Sequence, residues 1–272
     1  MPPLTAYAAI VAARFRCLIQ YRAAALGGLV TQVFFGVVRL TILAAFYAAA
    51  PAQASMPLPQ ATGYIWLGQA TLLLIPWRAD ADVAEQVRSG AVAYELTRPL
   101  DLYAQWFARS LAWRTAPMLL RMLPMFAFAM GALAWLAPSW ALAPPSAAAL
   151  AAWLACFLGA VLVSSAVTTL LSVSLLWTLT ADGVAILVST CATIFGGLVI
   201  PLPLFPDWSQ PLLRALPFAG MLDLPARVFT GGLAPSDAPW VLAHQLGWTV
   251  ILVGLGRWLL ARGLRRLVVQ GG

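Results

Sequence analysis

The chain has 272 residues, of which 62% are hydrophobic and 9% charged, and its formal net charge is +7. A soluble domain carries about 25% charged residues, so this composition excludes an ordinary water-soluble fold and describes a polytopic, all-α membrane protein. All sixteen basic residues are Arg; without Lys the chain builds neither a Walker A phosphate loop nor a lysine Schiff base.

The net positive charge is what membrane topology asks for and gives no reason to expect a nucleic-acid partner. Cys17, Cys156 and Cys191 form no CxxC pair, and His244 has no Cys or acidic residue at ligand spacing. No disulfide framework and no metal site are expected. The sequence also lacks zinc-protease and GxSxG motifs, so no catalytic residue is assigned.

The first predicted element spans residues 3–24. Leu4, Tyr7, Val11, Phe15 and Leu18 recur at spacings of three and four. Arg16 and Gln20 fall on the far side. This pattern predicts an interfacial helix on the cytoplasmic leaflet. Residues 26–48 are the first span. Ala52-Gln53-Ala54 has the look of a cleavage site, but the apolar run before it exceeds the roughly 7–15 residues of a signal peptide and contains Arg39, so the helix is retained. Five further spans follow at about 61–77, 112–136, 147–178, 184–200 and 240–260, each a run able to approach or cross a ~30 Å hydrocarbon layer. The fourth carries Ala160, Ser164, Thr168 and Ser172 at every fourth position, a spacing that lets helices approach closely. Ser164, Thr168 and Ser172, together with Arg39, are candidates for a transport pathway or a subunit interface.

Between the second and third spans, residues 78–114 hold five of the nine acidic residues: Asp80, Asp82, Glu85, Glu95 and Asp101. Two short helices are predicted there, 80–89 and 98–109, flanking a link that contains Tyr94. Val83 and Val87 lie one turn apart and suit an apolar groove on another protein. Glu85 and Arg88 pair at i and i+3, and Gly90 ends the helix. Pro99 fits the first turn of the second helix, whose N-terminal dipole Asp101 favours.

Residues 196–239 hold Gly196, Gly197 and eight prolines, more than one long helix can absorb. Short re-entrant or surface helices are predicted over 201–230.

Orientation follows from Arg placement. The N-terminal helix has three, residues 78–114 five, and the end from Arg257 onward four; 49–60 and 137–146 have none, and 201–239 has two. Both termini and the acidic loop are therefore expected in the cytoplasm. Arg39 sits near the centre of the first span, at a cost of roughly 2.5–3.5 kcal/mol on insertion scales. Arg121 lies nearer the cytoplasmic side, where it can snorkel.

Three functions fit: a permease driven by a separate ATPase, a membrane scaffold or assembly protein, and an ion-coupled transporter. The last is disfavoured because no span carries a central acidic residue.

One arrangement separates them. Residues 85–100 read E-Q-x-R-S-G-x-x-x-x-x-L-x-R-P-L, GGLVIPLPLFPDW occupies 196–208, and LPF occupies 216–218 before the last span. With the basic N-terminal helix and the Gln270-Gly271-Gly272 end, this order resembles the permeases of the ABC-2 transporter family over nearly the whole chain. The resemblance implies a single transmembrane domain over 1–272 in a bacterial cytoplasmic (inner) membrane, with six spans and both termini inside. It implies export of an amphipathic or hydrophobic, drug-like or lipid-like compound. The partners it implies are two ATP-binding subunits, which hold ATP and Mg, and a second six-span permease, identical or related. The loop 78–111 would supply a coupling helix through Asp82, Val83, Glu85, Gln86, Val87, Arg88, Ser89 and Gly90. Arg98, Pro99, Leu100 and Asp101 would open a second cytoplasmic helix. Pro201, Pro203, Phe205, Pro206, Pro217 and Phe218 would form the outward re-entrant gate.

Overall fold

The computed structural model describes residues 4–49, 55–178 and 180–265, and among them all regular structure is helical. Ala52-Gln53-Ala54 and Gln270-Gly271-Gly272 lie outside the described residues.

Helix α1 (Leu4–Leu18) buries no residue fully and packs along α6. A short turn separates it from α2 (Arg22–Ala49), so Arg22 opens the first span rather than closing the interfacial helix. Helix α3 (Leu58–Ala70) is buried on every face from Ala61 to Ala70. It stops short of the expected end at 77. The chain tightens into a 3-10 turn at Leu72–Leu74, and Ile75 is extended, as the residue before a proline should be.

The acidic loop folds into α4 (Ala81–Arg88) and α5 (Val92–Leu96), so the Tyr94 link is itself helical. The second loop helix expected at 98–109 and the third span expected at 112–136 are one helix. It runs from α6 (Leu102–Phe126) through a π segment at Ala127–Ala132 into α7 (Leu133–Leu136). Pro117 and Pro124 lie inside it. Pro124 removes one ladder bond, and the helix re-registers into the wider π form within a turn. The Leu142 N–H, 2.9 Å away, donates to the carbonyl of Ala129 in the π segment.

Helix α8 (Ala147–Thr178) is the axis of the molecule, packed against α13, α6, α12 and α11. Helix α9 (Asp182–Phe195) ends at Gly196 and Gly197, five residues before the expected boundary at 200. The proline-rich segment breaks into α10 (Gln210–Ala215), α11 (Pro217–Met221) and α12 (Asp223–Thr230). Helix α13 (Ala238–Leu264) follows.

Among the described residues, four helical stretches are long and apolar enough to cross a membrane: Arg22–Ala49, Leu102–Leu136, Ala147–Thr178 and Pro235–Leu264. At 13 and 14 residues, α3 and α9 reach only roughly 20 Å as helix, and by length alone they do not complete the expected six. Among the described residues two apolar clusters result. The larger runs through α2, α3, α6, α8 and the proline-rich segment. The smaller joins α4 and α5 to the start of α6 and the far end of α8.

Candidate functional site

Helix α4 starts at Asp80, whose side chain accepts from the Asp82 N–H at 3.0 Å, satisfying one of the orphan donors of a helix N-terminus. Asp80 is only 3% exposed. Arg109 of α6 donates to both its carboxylate oxygens, Nε to Oδ2 at 3.0 Å and Nη2 to Oδ1 at 3.3 Å. Arg109 also reaches Asp82 at 2.7 Å, and Arg14 of α1 reaches Asp82 at 2.5 Å and Asp80 at 3.4 Å. Partial burial alone would raise the Asp82 pKa; the hydrogen bonds and charges of Arg14 and Arg109 outweigh it and hold the carboxyl below its usual value. Two aspartates and two arginines thus fasten α1, α4 and α6 together.

Val83 and Val87 do not face outward. They are 0% and 9% exposed and pack in the smaller cluster with Trp106, Leu171, Val173 and Leu175. The expected apolar contact with a second protein is therefore a contact with this chain's own α6 and α8. The reason is length: α8 continues to Thr178 and presents an apolar end beyond the larger cluster. What α4 and its C-cap leave exposed is Ala81, Asp82, Glu85, Arg88 and Ser89, with Gln86 half-buried. Arg88 pairs with Glu85 at 3.1 Å, and the Ser89 hydroxyl donates to the Glu85 carbonyl at 2.7 Å. Gly90 follows at φ +73°.

Arg98, Pro99 and Leu100 lie in the connection before α6, not in a helix. Asp101 is its N-cap rather than an early helical residue, accepting from the Ala104 N–H at 2.8 Å. It also pairs with Arg257 of α13 at 3.1 Å, and its own N–H donates to Tyr7 Oη at 3.0 Å.

The stripe on α8 is buried inside the chain, so Ser164, Thr168 and Ser172 line neither an open pathway nor an exposed interface of this subunit. The partner of Thr168 is a residue that sequence reasoning placed at the edge of the loop. Arg114, 4% exposed, donates from Nε and Nη2 to Thr168 Oγ1 at 2.9 and 2.7 Å. Its Nη1 donates to the Leu73 and Ile75 carbonyls at 2.6 and 2.8 Å. Ser164 donates to the Leu74 carbonyl, and Ser172 Oγ accepts from the Asp80 N–H at 3.5 Å. A polar seam therefore runs from the broken end of α3 along α8 to the N-cap of α4.

Arg39 behaves differently. Its Nη1 donates to the Leu198 carbonyl at 2.6 Å. Its side chain borders an apolar groove of about 590 Å³ between α2 and residues 199–204, with Phe35, Ile42, Phe46 and Ile200 among its walls.

In the proline-rich segment, Pro201 and Pro217 are buried, Pro203, Phe205 and Phe218 half-buried, and Pro206 exposed. Gln210 stitches the start of this segment, its Nε2 donating to the Leu202 and Phe205 carbonyls at 2.6 and 2.9 Å. Beneath it lies a group the sequence reading missed. Asp223 is fully buried, accepts from Tyr64 Oη at 2.9 Å, and sits 3.7 Å from Arg227. Gly197, at φ +84°, lets Tyr64 pass: a Cβ there would stand 2.0 Å from the phenol oxygen. The i, i+4 spacing of Asp223 and Arg227 was the available signal.

No curated protein matches the chain. The family model described as "ABC-2 family transporter protein" matches residues 62–271, which include most of α3, the acidic loop, the α8 seam, the proline-rich segment and α13. The chain therefore belongs to the ABC-2 transporter family, as an integral-membrane permease.

Proposed function

We propose that this chain is the membrane half of an ATP-driven exporter for an amphipathic or hydrophobic compound, drug-like or lipid-like, with α4 as its coupling helix. ATP and Mg belong to a separate ATPase, present in two copies, and a second permease, identical or related, completes the pathway. In this reading α3 and α9 complete six spans, their short helices lengthened by backbone buried in protein. Both termini and α4 face the cytoplasm of a bacterial inner membrane, following the Arg distribution. The proline-rich segment lies outside as the gate.

The observation that carries the coupling role is the mounting of α4. Its apolar side is sunk among α6 and α8, while Glu85, Arg88 and Ser89 remain exposed. A helix held this way can pass a push from a docked motor to the spans through Asp80–Arg109 and Val83, without bending. The docking contact is then polar. The test is the exchange Glu85→Arg with Arg88→Glu, which keeps an i, i+3 pair but reverses the pattern shown to the motor. Co-purification of the ATPase should fall about tenfold or more, as for a hot-spot contact, while membrane insertion is unchanged. Full retention with full transport would assign α4 a purely structural role.

A further inference from the structure

Where the spans meet the acidic loop, an open cavity of about 380 Å³ is lined by Trp77, Arg78, Trp113, Arg114, Pro117 and Arg121. We propose that it binds the phosphate of an anionic phospholipid headgroup. Three guanidinium groups surround one space, and among the described residues none of them takes part in an ion pair. Like charges so placed repel one another until an anion sits between them. Arg114 is held by the Thr168 hydroxyl and two carbonyls, which fix its position but leave its charge uncompensated. The Arg121 Nε is buried with no hydrogen-bond partner. Arg114, Pro117 and Arg121 follow one another at three and four residues and so share one stripe of α6.

The surroundings select a lipid rather than a soluble anion. The Arg121 guanidinium lies against α2 at Gly28, where an added Cβ would stand 2.3 Å from Cζ. The cavity thus sits beside a spanning helix. Trp77 is 46% exposed, and Arg78 lies over the Trp113 ring at 5.4 Å. Indole rings at the ends of spans mark the headgroup level, and basic pockets between spanning helices at that level take phospholipid headgroups. The proposal is independent of what the permease moves.

The test uses the full chain, purified in detergent and offered phosphatidylglycerol, phosphatidylcholine or inorganic phosphate, with retained lipid counted by native mass spectrometry. The wild type should retain phosphatidylglycerol in preference. Arg78→Gln with Arg121→Gln should reduce that preference roughly thirtyfold, at about fivefold for each basic side chain near the lipid. Arg114 is left in place because it holds the fold. Arg78→Lys with Arg121→Lys should keep most of the preference, and this pair decides the question if the Gln pair does not fold. Equal retention of the two lipids by the wild type, or a preference that survives in the folded Gln pair, overturns the proposal. Binding of inorganic phosphate without lipid preference also overturns it, in favour of a soluble anion.

Discussion

Arg114 and Arg39 lie in different regions of one apolar bundle, and no carboxylate pairs with either among the described residues. Arg114 makes four hydrogen bonds in the α3–α6–α8 seam, whereas Arg39 makes one to the Leu198 carbonyl and, with the Gln69 amide suitably turned, one to Gln69 Oε1, at the wall of an open apolar groove. The difference lies in where acceptors come from. A continuous helix uses its own carbonyls, but α3 breaks after Ala70, and the carbonyls of Leu73, Leu74 and Ile75 are turned toward α6 and α8. Irregular backbone at membrane depth is tolerated where protein supplies partners; here the break and the buried cation satisfy each other. Arg39 meets the carbonyl released by the Gly196–Gly197 turn and, with the Gln69 amide in its hydrogen-bonding orientation, Gln69 Oε1 at 3.3 Å. An arginine held at each guanidinium nitrogen by this chain's own neutral acceptors holds structure, and one with fewer acceptors beside a groove is free to meet something else.

The largest effect should come from breaking the seam. Arg114→Leu leaves Thr168 and two carbonyls without their donor in a dry interior, where hydrogen bonds to charged groups are each worth roughly 1.5–3 kcal/mol. The variant should unfold at lower temperature in detergent by an amount corresponding to about 3 kcal/mol or more, and it should accumulate poorly in the membrane. A thermal midpoint equal to the wild type would show that the seam contributes little, and the contrast with Arg39 would lose one side.

A smaller effect tests whether the seam reaches the water-facing helix. Asp80→Ala removes the α4 N-cap, a loss of about 1 kcal/mol, together with the bonds from Arg109. Arg109 still has Asp82, so the global fold should hold. Amide exchange over Asp82–Arg88 should quicken roughly tenfold, with α8 unchanged. Unaltered exchange in α4 would mean that Val83 and Val87 alone seat the helix.

The long apolar elements were legible because hydropathy reports burial directly: the run 147–178 coincides with α8. Charged residues misled. Arg109 and Arg114 made the start of α6 read as a separate loop helix, 98–109, cut off from the span at 112–136, yet both point inward to partners that only the fold brings near, Asp80 and Thr168. Val83 and Val87 announced a buried face without saying against what, since periodicity carries no information about the partner surface. The same holds for the α8 stripe: small polar residues at every fourth position predicted a close approach, and the neighbour turned out to be this chain's own broken α3. Asp223 escaped notice because its partner Tyr64 lies 159 residues away.

The last prediction has the smallest effect on stability and bears most directly on function. Arg39→Leu removes a charge that costs roughly 2.5–3.5 kcal/mol to place at the centre of a span. It also removes one bond to Leu198, whose carbonyl stays buried and loses about 1–3 kcal/mol. The two terms nearly cancel, so the thermal midpoint should stay within an amount corresponding to about 1 kcal/mol of the wild type. If the groove beside Arg39 takes a substrate with an acidic head and an apolar body, transport and substrate-stimulated ATP hydrolysis should fall while the ATPase stays bound. The neutral Arg39→Gln should keep a donor toward Leu198 yet lose the same transport, because the charge and not the bond is what the groove presents. Should Arg39→Leu instead destabilise the fold as Arg114→Leu does, Arg39 would be a second structural cation and the groove merely a lipid-facing cleft.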